Sequence, residues 1–154
     1  ARMEDALYST RASIDEGVVP GGGTALLRAA QSVQEADRAK MGVDETHGFN
    51  LLLKACDEPF KRIVYNATGS SGSILLNKVL ENRTTGFGLD ASDMQLKNLL
   101  EAGIIDPVLV VRNALANAAS AASTMLTTEV LILKETPAKP SDAAAMPGMM
   151  PGMM

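Results

Sequence analysis

Asp5 and the run Gly21-Gly22-Gly23 are the features whose residue types and spacing point most directly to chemistry. A carboxylate such as Asp5 orients a water and accepts its proton as that water attacks a phosphoryl group, the positioning task of nucleoside triphosphate hydrolysis. Taken alone, an Asp on a helix face is more simply a solvated charge. Consecutive glycines at a helix start let the backbone approach a ligand closely and leave N–H groups unpaired, which makes an anion site. A tight turn at a hinge is the plainer reading of the spacing alone. The run matches neither a Walker A loop, which needs Gly-Lys-Ser/Thr, nor a Rossmann fingerprint. The lone Cys56 excludes an intrachain disulfide or zinc cluster, suits a reducing compartment and reads best as a small buried hydrophobe. The single histidine, His47, reads as solvent-facing or capping rather than catalytic.

These residues must be positioned by helices. The segment ARMEDALYSTRASIDE predicts a helix over about 3–16 with Met3, Leu7 and Ile14 on one face and Gly17 as its stop. After the glycines, TALLRAAQSVQEA predicts a second amphipathic helix through Leu26, Leu27, Ala30 and Val33. Residues 36–43 read as a loop, and 45–57 as a helix with Leu51, Leu52, Ala55 and Cys56 inward. Pro59 then opens a short helix through Phe60, Ile63 and Val64. A turn at 69–72 precedes a helix over 73–80, and 82–89 reads as an extended or hairpin-like excursion. Ser92 with Gln95 has capping-box spacing and predicts a helix ending at Gly103. Asp106 at N-cap and Pro107 at the first helical position predict a last helix to about Leu126, whose many alanines suit a central core helix. Residues 129–134 (EVLILK) predict a strand, and 137–154, rich in Pro, Ala, Gly and Met, a disordered tail with an adaptable apolar surface.

Composition narrows the function classes. A chain of 154 residues with 46% hydrophobic content fits one globular domain of ordinary size. Mean hydropathy is +0.07, and no apolar run approaches the roughly 20 residues that span a bilayer. The net charge of −4 comes without a basic stripe, and only five aromatic residues (two Tyr, three Phe) are present, which argues against nucleic acid as a partner. The opening ARMEDA is neither a signal nor a transit sequence and lacks an initiator Met, so the chain is expected to begin inside a longer protein.

ARMEDAL…EGVVPGGGTALLRA, GFGLDAS, EAGIIDP and VVRNALANAASAASTMLTTEVLI occur in this order, followed by GMMPGMM. Together they resemble the C-terminal part of a group I chaperonin subunit of the 60 kDa type, an ATP-driven protein-folding cage. The resemblance covers nearly all 154 residues, whereas family subunits are several times longer. It implies a mainly α fold: residues 1–15 as the end of the intermediate (hinge) domain, 16–134 as the C-terminal half of the ATP-binding equatorial domain, and 135–154 as a flexible tail into the cavity floor. Strand 129–134 would then find its partner in upstream sequence or a neighbouring subunit.

The site residues implied by the resemblance are specific. Asp5 matches the aspartate essential for hydrolysis. Gly22, flanked by Gly21 and Gly23, matches the glycine whose backbone packs against the nucleotide. Asp90, Ala91 and Ser92 match the segment facing adenine, where Asp90 would accept from the exocyclic amine. Ser92 stands where Ala is commoner. Asp106 matches the carboxylate accepting from the ribose hydroxyls. The cofactors are ATP and Mg, with the phosphate-cradling loop and the magnesium ligand expected outside this segment. The partners implied are copies of itself in heptameric rings, non-native polypeptides and a co-chaperonin lid, with neither nucleic acid nor membrane. The implied location is the cytoplasm, or alternatively an organelle matrix. The expected function is ATP-dependent enclosure and folding of polypeptides by the full subunit, with the isolated segment inactive because half the site lies elsewhere. The alternative is a non-catalytic helical oligomerisation or adaptor module.

Overall fold

A computed structural model describes residues 2–33 and 41–134. Six helices and four short strands are present among them. In order they are α1 (Arg2–Glu16), β1 (Val18–Pro20), α2 (Thr24–Val33), α3 (Val43–Cys56), α4 (Glu58–Thr68), α5 (Ser73–Glu81), β2 (Phe87–Asp90), β3 (Gln95–Asn98), β4 (Ile105–Pro107) and α6 (Val108–Leu126). The end expected for the second helix, most of the 36–43 loop and the C-terminal tail lie outside the described residues.

The core is built from the faces that the helical period selects. Leu27 of α2, Phe60 and Val64 of α4, Leu76 and Val79 of α5, and Leu89 of β2 form one buried cluster. Ala30 of α2 joins Leu53 and Cys56 of α3 in a second, with Leu115 of α6 packed against it. Helix α2 therefore serves both clusters. Burial, with Asp57 adjacent, pushes the Cys56 thiol above its ordinary range, in keeping with a core role. Phe60 is 1% exposed, so Phe60→Ala is expected to cost about 3–5 kcal/mol. A urea denaturation midpoint unchanged by that substitution would contradict the packing.

Local signals explain the connections. Gly17 ends α1 in the left-handed region at φ +84, with its N–H on the Ser13 carbonyl at 3.0 Å. Gly69 ends α4 in the same manner at φ +71, its N–H on the Tyr65 carbonyl at 2.7 Å. At the start of α3, the Glu45 carboxylate accepts from the Gly42 N–H at 2.9 Å. Arg28 of α2 donates to the carbonyls of Val79 and Phe87 at 3.0 and 2.9 Å, and Gln31 donates to that of Leu80 at 3.1 Å. These bonds tie α2 to the end of α5 and the start of β2, satisfying carbonyls that a helix end leaves open.

Several expectations are corrected. The helix foreseen from Ser92 to Gly103 is instead the β2–β3 hairpin, antiparallel with Phe87 opposite Asn98 and Asp90 opposite Gln95. Asp90 and Asp93 accept from the backbone N–H of Ser92 and Gln95 at 2.9 and 3.0 Å, so these side chains build local turns where a capping box was read. Gly103 does stop a helical turn, but one turn only. Ile104 N–H bonds the Leu99 carbonyl and Gly103 N–H that of Leu100, with Gly103 at φ +73, a Schellman closure. Asp106 is not an N-cap: it lies in β4, and Pro107 caps α6 with Val108 as its first residue. Helix α6 has no buried residue in this chain, so it is no central core helix here. Residues 129–134 form no strand, and Val130 to Leu133 are exposed. On α3, Leu53 and Cys56 are buried whereas Leu51 and Leu52 are exposed, and on α1 Ala12 is buried while Met3, Leu7 and Ile14 are not.

Candidate nucleotide site

Two antiparallel strands place the glycine corner. In the β1–β4 ladder Val18 faces Pro107, Val19 faces Asp106 and Pro20 faces Ile105. Gly21 N–H extends it to the Ile104 carbonyl at 2.9 Å, and Val108 N–H closes the other end on the Gly17 carbonyl at 3.1 Å. Gly22 and Gly23 then take φ +64 and +75 and turn the chain into α2. Thr24, at the α2 N-terminus, is fully buried, and its N–H bonds the Gly21 carbonyl at 3.1 Å. Its hydroxyl has no hydrogen-bond partner among the described residues and faces Gly88 of β2.

The hairpin comes against the same corner. A Cβ added at Gly22 would lie 3.5 Å from the Leu89 carbonyl oxygen, so the backbone preceding Asp90 runs beside Gly22. Asp106 is two positions out along the ladder, opposite Val19. Burial pushes its carboxyl above the ordinary carboxylate value, and its acceptors engage no partner among the described residues. The fold thus brings the backbone just before Asp90 against Gly22, and the strand that carries Asp106 against the one leading into Gly21, from distant parts of the chain. A Cβ at Gly22 would meet only the Leu89 carbonyl oxygen, and Asp106 offers a partly desolvated acceptor on the strand paired with β1.

Asp5 is placed differently. It lies exposed in the first turn of α1, which packs along α6 and β4 and is held at its far end by an ion pair between Glu16 and Arg112. At 1.5 Å per residue, Asp5 is about 17 Å along the helix from Glu16. No described residue hydrogen-bonds its carboxylate. The structure does not bring it into contact with the glycine corner.

Lys97 and Arg28 were not singled out by sequence reasoning. Lys97 Nζ lies 2.7 Å from both Asp90 Oδ2 and Asp93 Oδ2, while Asp90 Oδ1 accepts from Ser92 N and Oγ at 2.9 and 2.6 Å. Lys97, with Ser92, holds the Asp90 carboxyl down at about 2, and Lys97 itself is raised above its ordinary value by the two carboxylates, Asp90 first. The only signal for Lys97 was a hairpin register that the capping-box reading concealed. The depressed Asp90 value makes hairpin stability present above the ordinary 3.8 and lost as pH falls towards about 2. The protection of the β2 and β3 amides, relative to their intrinsic exchange at each pH, is therefore expected to fall across that interval, and Asp90→Asn to remove most of the dependence. An acid profile identical in that variant would show the linkage to lie elsewhere.

No group of three or more His, Cys, Asp or Glu side chains among the described residues could hold a metal ion. No helix among them is long and apolar enough to cross a membrane.

The family model described as "TCP-1/cpn60 chaperonin family" matches residues 1–136. A solved structure described as "Crystal structure of group III chaperonin in the open state" superposes with a TM-score of 0.68 at 26% identity, over 79% of this chain. The chain spans 25% of the length of that chaperonin.

Proposed function

The chain belongs to the TCP-1/cpn60 chaperonin family, and from that premise we propose that it supplies one wall of the ATP site in a chaperonin subunit, together with the hydrolytic carboxylate. The observation carrying this reading is the approach of the Leu89 carbonyl to Gly22 just before α2, with Asp106 opposite Val19 on the strand pair that leads into that corner. In this reading Gly22 lies flat against the nucleotide, and Asp90, Ala91 and Ser92 face adenine. Asp106 accepts from the ribose hydroxyls, a role its partial desolvation strengthens because a hydrogen bond away from water is not diluted by competing solvent. Magnesium, held by residues outside this chain, would neutralise charge on the phosphate oxygens.

Asp5 completes the site by movement. Gly17, at φ +84 with open space around it, is the joint between rigid α1 and the β1 strand. Swinging α1 there would carry Asp5 over the phosphates, so that nucleotide occupancy is coupled to domain position. The complete subunit would form homo-oligomeric rings, heptameric if group I as the sequence motifs suggest, and enclose non-native polypeptides beneath a lid. The exposed Val130–Leu133 segment and the unburied α6 supply surface for such assembly. They fit a non-catalytic assembly module equally, so the nucleotide decides between the two.

Hydrogen exchange of the complete subunit with and without ADP tests this. Amides of residues 21–24, 88–92 and 104–106 are expected to slow together on binding. Binding of ADP with none of these slowed would overturn the assignment.

A further inference from the structure

We propose that Arg28 is a positioning residue that holds β2 at its working distance from the glycine corner, so that nucleotide affinity depends on a guanidinium one turn into α2. This rests on the reading of the corner beside Gly22 as a nucleotide site.

Strand pairing sets the geometry. Leu99 N–H donates to the Gly86 carbonyl at 2.8 Å, and Gly88 pairs with Lys97. Carbonyls along an antiparallel strand alternate in direction, so those of Phe87 and Leu89 turn away from β3. Both meet α2 or the corner that leads into it. The Leu89 oxygen lies 3.5 Å from a Cβ added at Gly22, and the Phe87 oxygen accepts from Arg28 Nη2 at 2.9 Å. Strand and helix therefore run in opposite directions, with Leu89 beside Gly22, Gly88 beside Thr24 and Phe87 beside Arg28. Between the two ends the seam is close but untied. A Cβ at Gly88 would lie 2.5 Å from Thr24 Oγ1, a buried hydroxyl with no hydrogen-bond partner among the described residues.

Arg28 is built as a fixed post. The same Nη2 donates to the Val79 carbonyl at 3.0 Å, near the C-terminus of α5, where the helix dipole is negative. Nη1 donates to Gln31 Oε1 at 2.9 Å, and Gln31 donates in turn to the Leu80 carbonyl at 3.1 Å. No carboxylate pairs with Arg28 among the described residues, and its Nε is buried without a partner. Burial lowers the guanidinium from its ordinary value, the mark of a charge that has lost water. Such a charge depends on the few carbonyls it reaches. Once the Phe87 bond is gone, β2 leaves its place beside Gly22 in a fraction of subunits, and apparent affinity falls with the competent fraction. One hydrogen bond to a charged group changes that fraction by about tenfold. Saturating nucleotide draws the population back, so the chemical step is untouched.

The experiment compares the complete unaltered subunit with Arg28→Met and Gln31→Met, by ADP calorimetry and by turnover at saturating ATP. Gln31→Met removes a bond to the end of α5 and none to β2. Arg28→Met is expected to weaken ADP by about tenfold with saturating turnover within about twofold. Gln31→Met is expected to keep ADP affinity within about twofold, since it leaves the Phe87 bond in place. Unchanged ADP affinity in an assembled Arg28→Met subunit overturns the role of Arg28 and leaves the nucleotide site standing. An equal loss in Gln31→Met, or turnover lost even at saturation, also overturns it, because general loosening of the helices then explains the effect. Where Arg28→Met does not assemble, Arg28→Lys replaces it under the same criteria. A compact ammonium lacks the planar fork that spans Phe87 and Val79, and ADP is expected to weaken at least about threefold. Failure of the unaltered subunit to bind ADP overturns both the role of Arg28 and the nucleotide site.

Discussion

Asp5→Ala is expected to lower ATP turnover of the complete subunit by about 10²–10⁴-fold, the range for loss of a positioned general base, while ADP affinity changes little. A residue acting only in the chemical step lowers kcat without weakening ground-state binding. The structural role of Asp5 is too small to produce such a loss. It sits in the first turn of α1, exposed, where a carboxylate favours the helix dipole by about 0.3–1 kcal/mol. Removing that much helix stability cannot account for a hundredfold change, so fraying of α1 and loss of chemistry are separable. Steady-state turnover beside ADP calorimetry decides between them. Turnover within twofold of the unaltered subunit would leave Asp5 a solvated charge and favour the assembly-module reading.

The glycine corner gives the second large effect, in two parts, one on stability and one on binding. At Gly23 an added Cβ would lie 2.7 Å from Phe60 N, 3.0 Å from Phe60 Cα and 3.2 Å from the Pro59 carbonyl carbon, all backbone, at φ +75. The left-handed conformation costs about 1–2 kcal/mol for a residue with a Cβ, and overpacking against backbone about 1–3 kcal/mol more. Gly23→Ala should therefore destabilise by about 2–5 kcal/mol, visible in the denaturation midpoint. At Gly22 the nearest atom to an added Cβ is the Leu89 carbonyl oxygen at 3.5 Å, an ordinary contact, so only the strain at φ +64 remains. Gly22→Ala should leave a folded subunit whose ADP affinity falls at least about tenfold, because the methyl enters ligand space. Gly17→Ala, strained at φ +84 but with open space around it, is the control for strain alone. Equal ADP affinity in Gly22→Ala and Gly17→Ala would remove the nucleotide from the corner.

The misreadings share one cause. Ser92 and Gln95 have capping-box spacing, yet Asp90 and Asp93 offer the same backbone an alternative at shorter range, and Lys97 rewards the hairpin that results. Asp106 before Pro107 is a sound N-cap signal, but pairing opposite Val19 draws it into a strand with a partner far away in the chain. The alanines of α6 correctly indicate a helix that neighbours approach closely. Which neighbours is not written in them, and in this chain none buries a residue of that helix. The strand-like composition of 129–134 meets no free edge among the described residues, and composition alone cannot supply hydrogen-bond partners.

Sequence by itself determined what local physics controls: the helical stretches with their glycine and proline punctuation, the buried Phe60, Val64 and Cys56, and the ordered motifs that mark the chaperonin family. Only the tertiary structure decided that the hairpin backbone before Asp90 runs beside Gly22, that Asp106 pairs opposite Val19, that Lys97 holds Asp90, and that Asp5 lies exposed in the first turn of α1. The reason is that backbone preference and hydrophobic period act over a few residues. The β1–β4 and β2–β3 pairings act across the chain, and a ladder register is chosen by the partner strand as much as by the strand that carries the residue.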